Sequence, residues 1–183
     1  YKPPALTPDD IGKNIVGVGI YIGTYAPVDR DGVSLKKVFN VFAAPGDLPG
    51  GMRTYHDTVT EVASLKNWHG HDGTNYANDV AIYNALRNGR YKGGWIIPPL
   101  EILSDKDING NKTNFNNVFS LAQSDQSFKK TFSEDAGFQI WLWSSTEYNP
   151  YSSVCIRLSD GAADWNNKNN SINHCRPVRL VPV

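Results

Sequence analysis

The hydrophobic pattern changes period along this chain, and each change predicts a different element. Residues 14–25 carry apolar side chains on both parities with glycines interleaved, the pattern of a buried strand that another backbone approaches closely. Residues 37–44 predict a second strand, and the turn Asp29-Arg30-Asp31-Gly32 between them predicts an early hairpin. Residues 52–68 are ambiguous. Residues 76–90 predict a helix, in which Val80, Ile82, Tyr83 and Leu86 form a partial stripe. Asn75 or Asn78 supplies its cap and Asn88-Gly89 its stop. Trp95-Ile96-Ile97 reads as a short strand ended by Pro98-Pro99, followed by a helical turn over 100–103. Residues 115–132 predict a second, irregular helix.

From residue 138 the period becomes two. Residues 138–143 alternate, and so do 153–158, with Val154, Ile156 and Leu158 on one side and Ser153, Cys155 and Arg157 on the other. Ser159-Asp160-Gly161 predicts a hairpin turn, residues 162–165 its return, and residues 176–181 a last strand with Pro177 near its start. A single domain over 1–183 is expected, with residues 1–10 extended and 141–183 a region of strands and loops.

Within this frame, residues 148–175 are polar and loaded with asparagine, including Asp164-Trp165-Asn166-Asn167-Lys168-Asn169-Asn170-Ser171-Ile172-Asn173-His174. Asparagine brings two donors and two acceptor lone pairs on a short stem, and it favours turns over helix or strand interiors. Few groups in the stretch suit acid–base chemistry, so recognition is the expected role. Trp141, Trp143, Val154, Ile156, Leu158, Val178 and Leu180 are expected to form the scaffold. The expected ligand-binding set is Tyr148, Asn149, Tyr151, Ser152, Ser153, Cys155, Asp164, Asn166, Asn167, Asn169, Asn170, Ser171, Asn173 and His174. Tyr148 and Tyr151 are the expected anchors, because a tyrosine offers a large area at low entropic cost. The plainer alternative is a solvated loop rich in turn formers.

Charge and composition narrow the partners. Eighteen basic residues balance eighteen acidic ones, so no basic stripe calls for nucleic acid. No apolar run approaches membrane-spanning length, so no membrane insertion is expected. The chain opens at Tyr1 with no initiating methionine or leader, which reads as a processed or trimmed fragment. Cys155 and Cys175 leave two possibilities open, a disulfide that pins the stretch or two separate thiols.

Candidate chemistry changes this picture little. His56, Asp57, His69, His71 and Asp72 gather in sequence but lack the spacing of a zinc motif. Asp105, Asp107 and Asn109 alternate like the start of a calcium loop, yet Asn116 stands where the closing glutamate belongs. His174 and Cys175 are neighbours, and neighbours on a strand face opposite ways. No metal, cofactor or catalytic residue is assigned.

Three segments stand in a telling order: Gly94-Trp95-Ile96-Ile97-Pro98, then Trp143-Ser144-Ser145-Thr146-Glu147, then Arg176-Pro177-Val178-Arg179. They resemble the Gly-Trp-Arg-Leu-Pro, Trp-Ser-Ser and Val-Arg signatures of the C-type lectin fold as built in the formylglycine-generating-enzyme-like group, with Ile96 in place of the usual arginine. The resemblance implies an α+β fold with antiparallel sheets and two helices over the whole chain. Within that group, residues 148–175 resemble the variable region of proteins diversified by diversity-generating retroelements. Those systems randomise adenines, and an AAC asparagine codon then reaches every residue except Met, Trp, Gln, Lys and Glu. In this stretch only Trp165 and Lys168 fall in the excluded set. The resemblance implies a ligand-binding display protein on a virion tail or cell surface, used for attachment to a host or target surface receptor. The unknown surface ligand is expected to be a protein rather than a glycan, since the chain has no Glu-Pro-Asn or Gln-Pro-Asp. The alternatives are a non-diversified adhesin or phage tail component of the same fold, and a formylglycine-generating-type oxidase. The last needs a close cysteine pair, and Cys155 and Cys175 stand twenty positions apart.

Overall fold

The computed structural model describes residues 5–112, 116–132 and 140–183. Residues 1–4, the expected helix start at Phe115 and residues 138–139 of the expected strand lie outside them. The chain forms an α+β structure with two antiparallel sheets. The first sheet runs in the order β1 (Asn14–Ile15), β2 (Gly19–Tyr25), β3 (Phe39–Ala43), β7 (Val178–Pro182), and the second β4 (Trp141–Asn149), β5 (Ser152–Arg157), β6 (Ala163–Asn167). The helices are α1 (Tyr55–Ser64), α2 (Asp79–Arg87), α3 (Leu100–Leu103), α4 (Val118–Ser124) and α5 (Gln126–Lys129).

The early hairpin forms, with β2 antiparallel to β3. The single strand expected over 14–25 is broken, however. Val18 N–H donates to Ile15 O (2.9 Å), and this turn separates β1 from β2. Gly19 then passes so close to β3 that a Cβ there would stand 2.8 Å from Ala43 O, which is why no side chain fits at that position. At the N-terminus, Pro8–Asp10 is a 3₁₀ turn rather than extended chain, held by Thr7 N–H donating to Asp10 Oδ2 (2.8 Å).

The helices follow their caps more than their stripes. Asn78 Oδ1 accepts from Ala81 N–H and starts α2, as one of the two expected caps. α1 occupies the segment that is ambiguous in the sequence. Its buried positions are Tyr55, Thr58 and Val62, a helical stripe that includes a threonine whose hydroxyl donates to Thr54 O (2.8 Å). The irregular helix divides at Asp125, whose carboxylate caps α5 by accepting from Phe128 N–H (3.1 Å). The expected pair of helices is therefore five α-helical segments among the described residues, besides the 3₁₀ turn.

β5 is the middle strand of its sheet and both of its faces are covered. Val154, Ile156 and Leu158 join the larger core with Ile22, Val41, Ile96, Leu142 and Leu180. Cys155, on the opposite face, joins a smaller core with Leu48, Tyr55, Val62, Ile97, Trp143 and Cys175. Opposite β5, β4 leaves the regular ladder between Trp143 and Glu147. Side chains replace its bonds there: Ser144 Oγ donates to Val154 O (2.6 Å), Ser153 Oγ donates to Ser144 O (2.8 Å), and Thr146 Oγ1 accepts from Leu100 N–H (2.9 Å).

One buried cation links the distant segments. Arg176 is completely buried. Its Nε donates to Asp47 Oδ1 (3.0 Å), Nη1 to Ala44 O (3.1 Å) and Thr131 Oγ1 (2.9 Å), and Nη2 to Thr131 O (2.8 Å). Its guanidinium carbon lies 3.9 Å from the centre of the Phe132 ring. Removing one member of a buried, hydrogen-bonded ion pair strands the other, at about 3–5 kcal/mol. Arg176→Met should therefore lower the free energy of unfolding in urea by about that much. The double variant Arg176→Met/Asp47→Leu should recover part of the loss. Equal stability of the single and double variants would show that the pair does not act as a unit.

Candidate functional site

The asparagine-rich stretch is carried by the β4–β5 turn, by β6, and by the segment 168–174 that leads to β7. Each part is fixed to the framework. Lys168 N–H donates to Tyr151 O (2.9 Å), which sets the start of the segment beside the β4–β5 turn. Arg53 and Asn173 exchange both backbone hydrogen bonds at 3.1 Å, and Trp143 N–H donates to His174 O (2.9 Å). Trp143 Nε1 donates to Arg53 O (2.9 Å), so the segment, β4 and the loop before α1 share one network.

The fourteen expected site residues separate by depth. Tyr148, Tyr151, Asp164, Asn167, Asn169 and Asn170 are exposed, and Asn149, Ser152, Asn166 and Ser171 are half-buried. These ten surround the turn and β6, where Ser152 pairs with Asn167 and Ser153 with Asn166. Ser153, Cys155, Asn173 and His174 are buried and do not belong to the displayed set. The reason is the same for Ser153 and Cys155: they lie on the second face of a central strand, which the smaller core and the irregular part of β4 cover. Asn173 and His174 are buried by their backbone pairing with Arg53 and β4. Trp141 is half-buried, and the other six expected scaffold residues are buried.

Two residues outside that set complete the region, one on the surface and one beneath it. Trp165, 52% exposed, stacks on Tyr148, 49% exposed, with ring centres 4.2 Å apart and planes 12° from parallel. Counting back from the Ser159-Asp160-Gly161 turn pairs Trp165 with Val154; the count sets its register, but with a core residue opposite it nothing in the sequence marks Trp165 as exposed. Beneath the surface, Lys168 is almost wholly buried and forms an ion pair with Glu147. Its Nζ also lies 5.1 Å from the centre of the Tyr55 ring. The backbone of Glu147 is held in turn: its N–H donates to Asp79 Oδ1 (3.3 Å), its carbonyl accepts from Arg30, and Arg30 grips Asp79 with two bonds of 3.0 and 3.1 Å. A chain of charges thus fixes the base of the Tyr148 turn.

Several asparagines act on their own backbone. Asn149 Oδ1 accepts from Tyr151 N–H (2.9 Å), and Asn167 Oδ1 accepts from Asn169 N–H (2.8 Å) and Asn170 N–H (3.2 Å). These side chains shape the turns; among the described residues the side chains of half-buried Asn166 and exposed Asn169 and Asn170 make no such turn bond.

The chemistry available is sparse. Cys155 and Cys175 are both free thiols in the smaller core. Burial, reinforced by Asp164, pushes the Cys155 thiol up to about 12, and burial raises Cys175 as well, so neither is primed as a thiolate. Among the described residues no three His, Cys, Asp or Glu side chains converge. His71 Nε2 lies 2.7 Å from Gly17 O, and Asp107 Oδ1 accepts from Asn109 N–H and Asn111 N–H (both 2.9 Å) as an ordinary turn. A cavity of about 980 Å³ opens beside the charge chain, lined by Tyr25, Arg30, Asp79, Tyr83, Glu101 and Arg87 among others. Burial, with Asp79 and Asp107 adding to it, raises Glu101 from 4.5 to about 7. No family model matches the chain, and no curated protein matches it.

Two outcomes follow from this geometry. Replacing Asn166, Asn169 and Asn170 by alanine together should change stability by less than about 0.5 kcal/mol per site, whereas Asn167→Ala should cost about 1 kcal/mol because two turn N–H groups lose their acceptor. Thermal unfolding checks both, and equal effects would dismiss the division between displayed and turn-shaping amides. Glu101 gives a pH signature. Its carboxyl holds its proton more tightly in the fold than in the unfolded chain, so its contribution is complete below pH 4.5 and lost as pH rises through about 7. Relative to Glu101→Gln, the unfolding free energy of the natural chain should therefore fall across that window. Parallel curves for the two proteins would refute it.

Proposed function

We propose that this chain is a ligand-binding display module of the C-type lectin-like fold, with a C-terminal face diversified by a retroelement for attachment to a surface receptor. The observation that carries this reading is one continuous surface around the β4–β5 turn and β6. It combines a stacked Tyr148–Trp165 pair, Tyr151 at 74% exposure, and the amides of Asn166, Asn169 and Asn170. All of it is mounted on strands whose inner residues are fully buried. Aromatic anchors among short polar side chains are the composition of adaptable protein-binding surfaces. Substitution at the exposed positions is cheap, while truncating a framework tryptophan such as Trp143 costs about 3–5 kcal/mol. The two positions that adenine randomisation of an AAC codon does not reach, Trp165 and Lys168, hold the stacking partner of Tyr148 and the buried ion pair beneath it. Both are parts the surface needs unchanged.

A second reading, a fixed adhesin or tail component of the same fold, is favoured by one observation. Ser153, Cys155, Asn173 and His174 fall within the stretch yet are buried, where free variation would damage the fold. The gene's surroundings distinguish the two. Diversification requires a reverse-transcriptase gene and a near-copy of the codons for residues 148–175 that differs mainly at adenines. We expect both, with the adenine differences concentrated at Tyr148, Tyr151, Asp164 and the exposed asparagines. A locus with neither retires the diversified reading in favour of the fixed adhesin.

A further inference from the structure

β6 is a strand of five residues whose outer edge no strand covers among the described residues. Its pairing with β5 is regular over five residue pairs, without a bulge. Arg157 N–H donates to Ala162 O (2.8 Å) and Lys168 N–H to Tyr151 O (2.9 Å), which fixes the alternation of the ladder. Asp164 and Asn166 turn their backbone groups toward β5, and Ala163, Trp165 and Asn167 turn theirs outward. Two outward groups are already used: Trp165 N–H donates to Asp164 Oδ1 (2.8 Å), and Asn167 O accepts from Ser171 N–H (3.2 Å). The N–H groups of Ala163 and Asn167 and the carbonyls of Ala163 and Trp165 have no hydrogen-bond partner among the described residues and remain for a partner.

The other sheet margins differ. β1 has two residues. β4 is covered where Trp143 N–H and Ser145 N–H donate to His174 O and Pro98 O, and β7 is covered where Ile96 and Val178 exchange both backbone bonds. Exposed edges in natural proteins are ordinarily blunted by lysine, proline or a bulge. β6 has no proline and no bulge, and Lys168 just beyond it is turned inward onto Glu147.

We infer that β6 takes up an extended segment of the target protein as a fourth strand of the second sheet, paired through the outward backbone groups of Ala163, Trp165 and Asn167. This rests on the reading of the surface as a protein-binding face and names the form of its partner. Donors and acceptors spaced two residues apart along a strand are complementary to another polypeptide strand. The added strand would run alongside the Tyr148–Trp165 stack, so its backbone supplies affinity and its side chains meet the varied positions. Such a division lets the varied positions change while the backbone pairing stays the same.

The test uses the whole domain and random linear peptides selected against it by phage display, with affinity read by fluorescence anisotropy. Backbone N-methylation of a selected peptide at alternate residues should give two series. One parity should lose about tenfold or more, as expected when paired N–H groups are removed, and the other should change little. Ala163→Pro, which removes an outward N–H, should weaken the same peptides. Because that variant can fail to fold, amide exchange in the natural domain gives an independent readout: the N–H groups of Ala163 and Asn167 should exchange more slowly with peptide bound. Methylation effects without parity, unchanged exchange at both amides, or a selection that returns no peptide overturns the inference. So does concentration-dependent dimerisation that Ala163→Pro abolishes, which assigns the edge to a second copy of the chain. Tyr148→Ala and Trp165→Ala separate the two readings. Binding that is lost in those variants but insensitive to methylation parity leaves the display face standing without strand addition. Binding that is parity-sensitive yet indifferent to both variants leaves strand addition without the aromatic display face.

Discussion

The guanidinium of Arg176 is the point through which the separate parts of this chain are bound together. It is fully buried, paired with Asp47, and bonded to Ala44 beyond β3 and to Thr131 beyond α5, while its own backbone leads into β7. Desolvation lowers its proton affinity and Asp47 acts against that, so the charge is tolerated because every direction around it offers an acceptor or an aromatic ring. A buried ion pair contributes little net stability compared with a well-packed apolar alternative, but it is intolerant of rearrangement. That intolerance fixes where the asparagine-rich segment must end.

With that end fixed, β5 determines what the stretch can display. Being central in its sheet, it separates the larger core on its Val154–Ile156 face from the smaller core on its Cys155 face. Exposed side chains of the stretch therefore lie at its start, in the turn before it, and on the strand and segment after it. The surface is narrow in sequence but continuous in space. Its base is held by Lys168, Glu147, Asp79 and Arg30, so the aromatic pair sits on a stiff support.

Asparagine serves two purposes in this segment. Asn149 and Asn167 satisfy turn N–H groups, and the side chains of Asn166, Asn169 and Asn170 lie at the surface, the first of them half-buried. The same residue type has the right reach for both, which is why composition alone could not sort them. The charge chain below also ends at the cavity containing Glu101, so the wall of that cavity and the Tyr148 turn share Arg30 and Asp79.

The sequence by itself determined the elements whose signals are local. The early hairpin, the Asn78 cap, the period-two strands and the Ser159-Asp160-Gly161 turn depend on neighbours a few residues away, and each formed near its expected place. It also placed the polar stretch between apolar strands, with six of the seven scaffold residues buried. α1 was hidden because tertiary packing buries Thr58 in its stripe, and the break at Val16–Val18 because alternation on both parities cannot show where a strand turns back. Only the tertiary structure decided that Ser153, Cys155, Asn173 and His174 lie inside while Trp165 lies outside. Whether a strand has one covered face or two depends on what packs against it from remote parts of the chain, and no spacing within the strand records that.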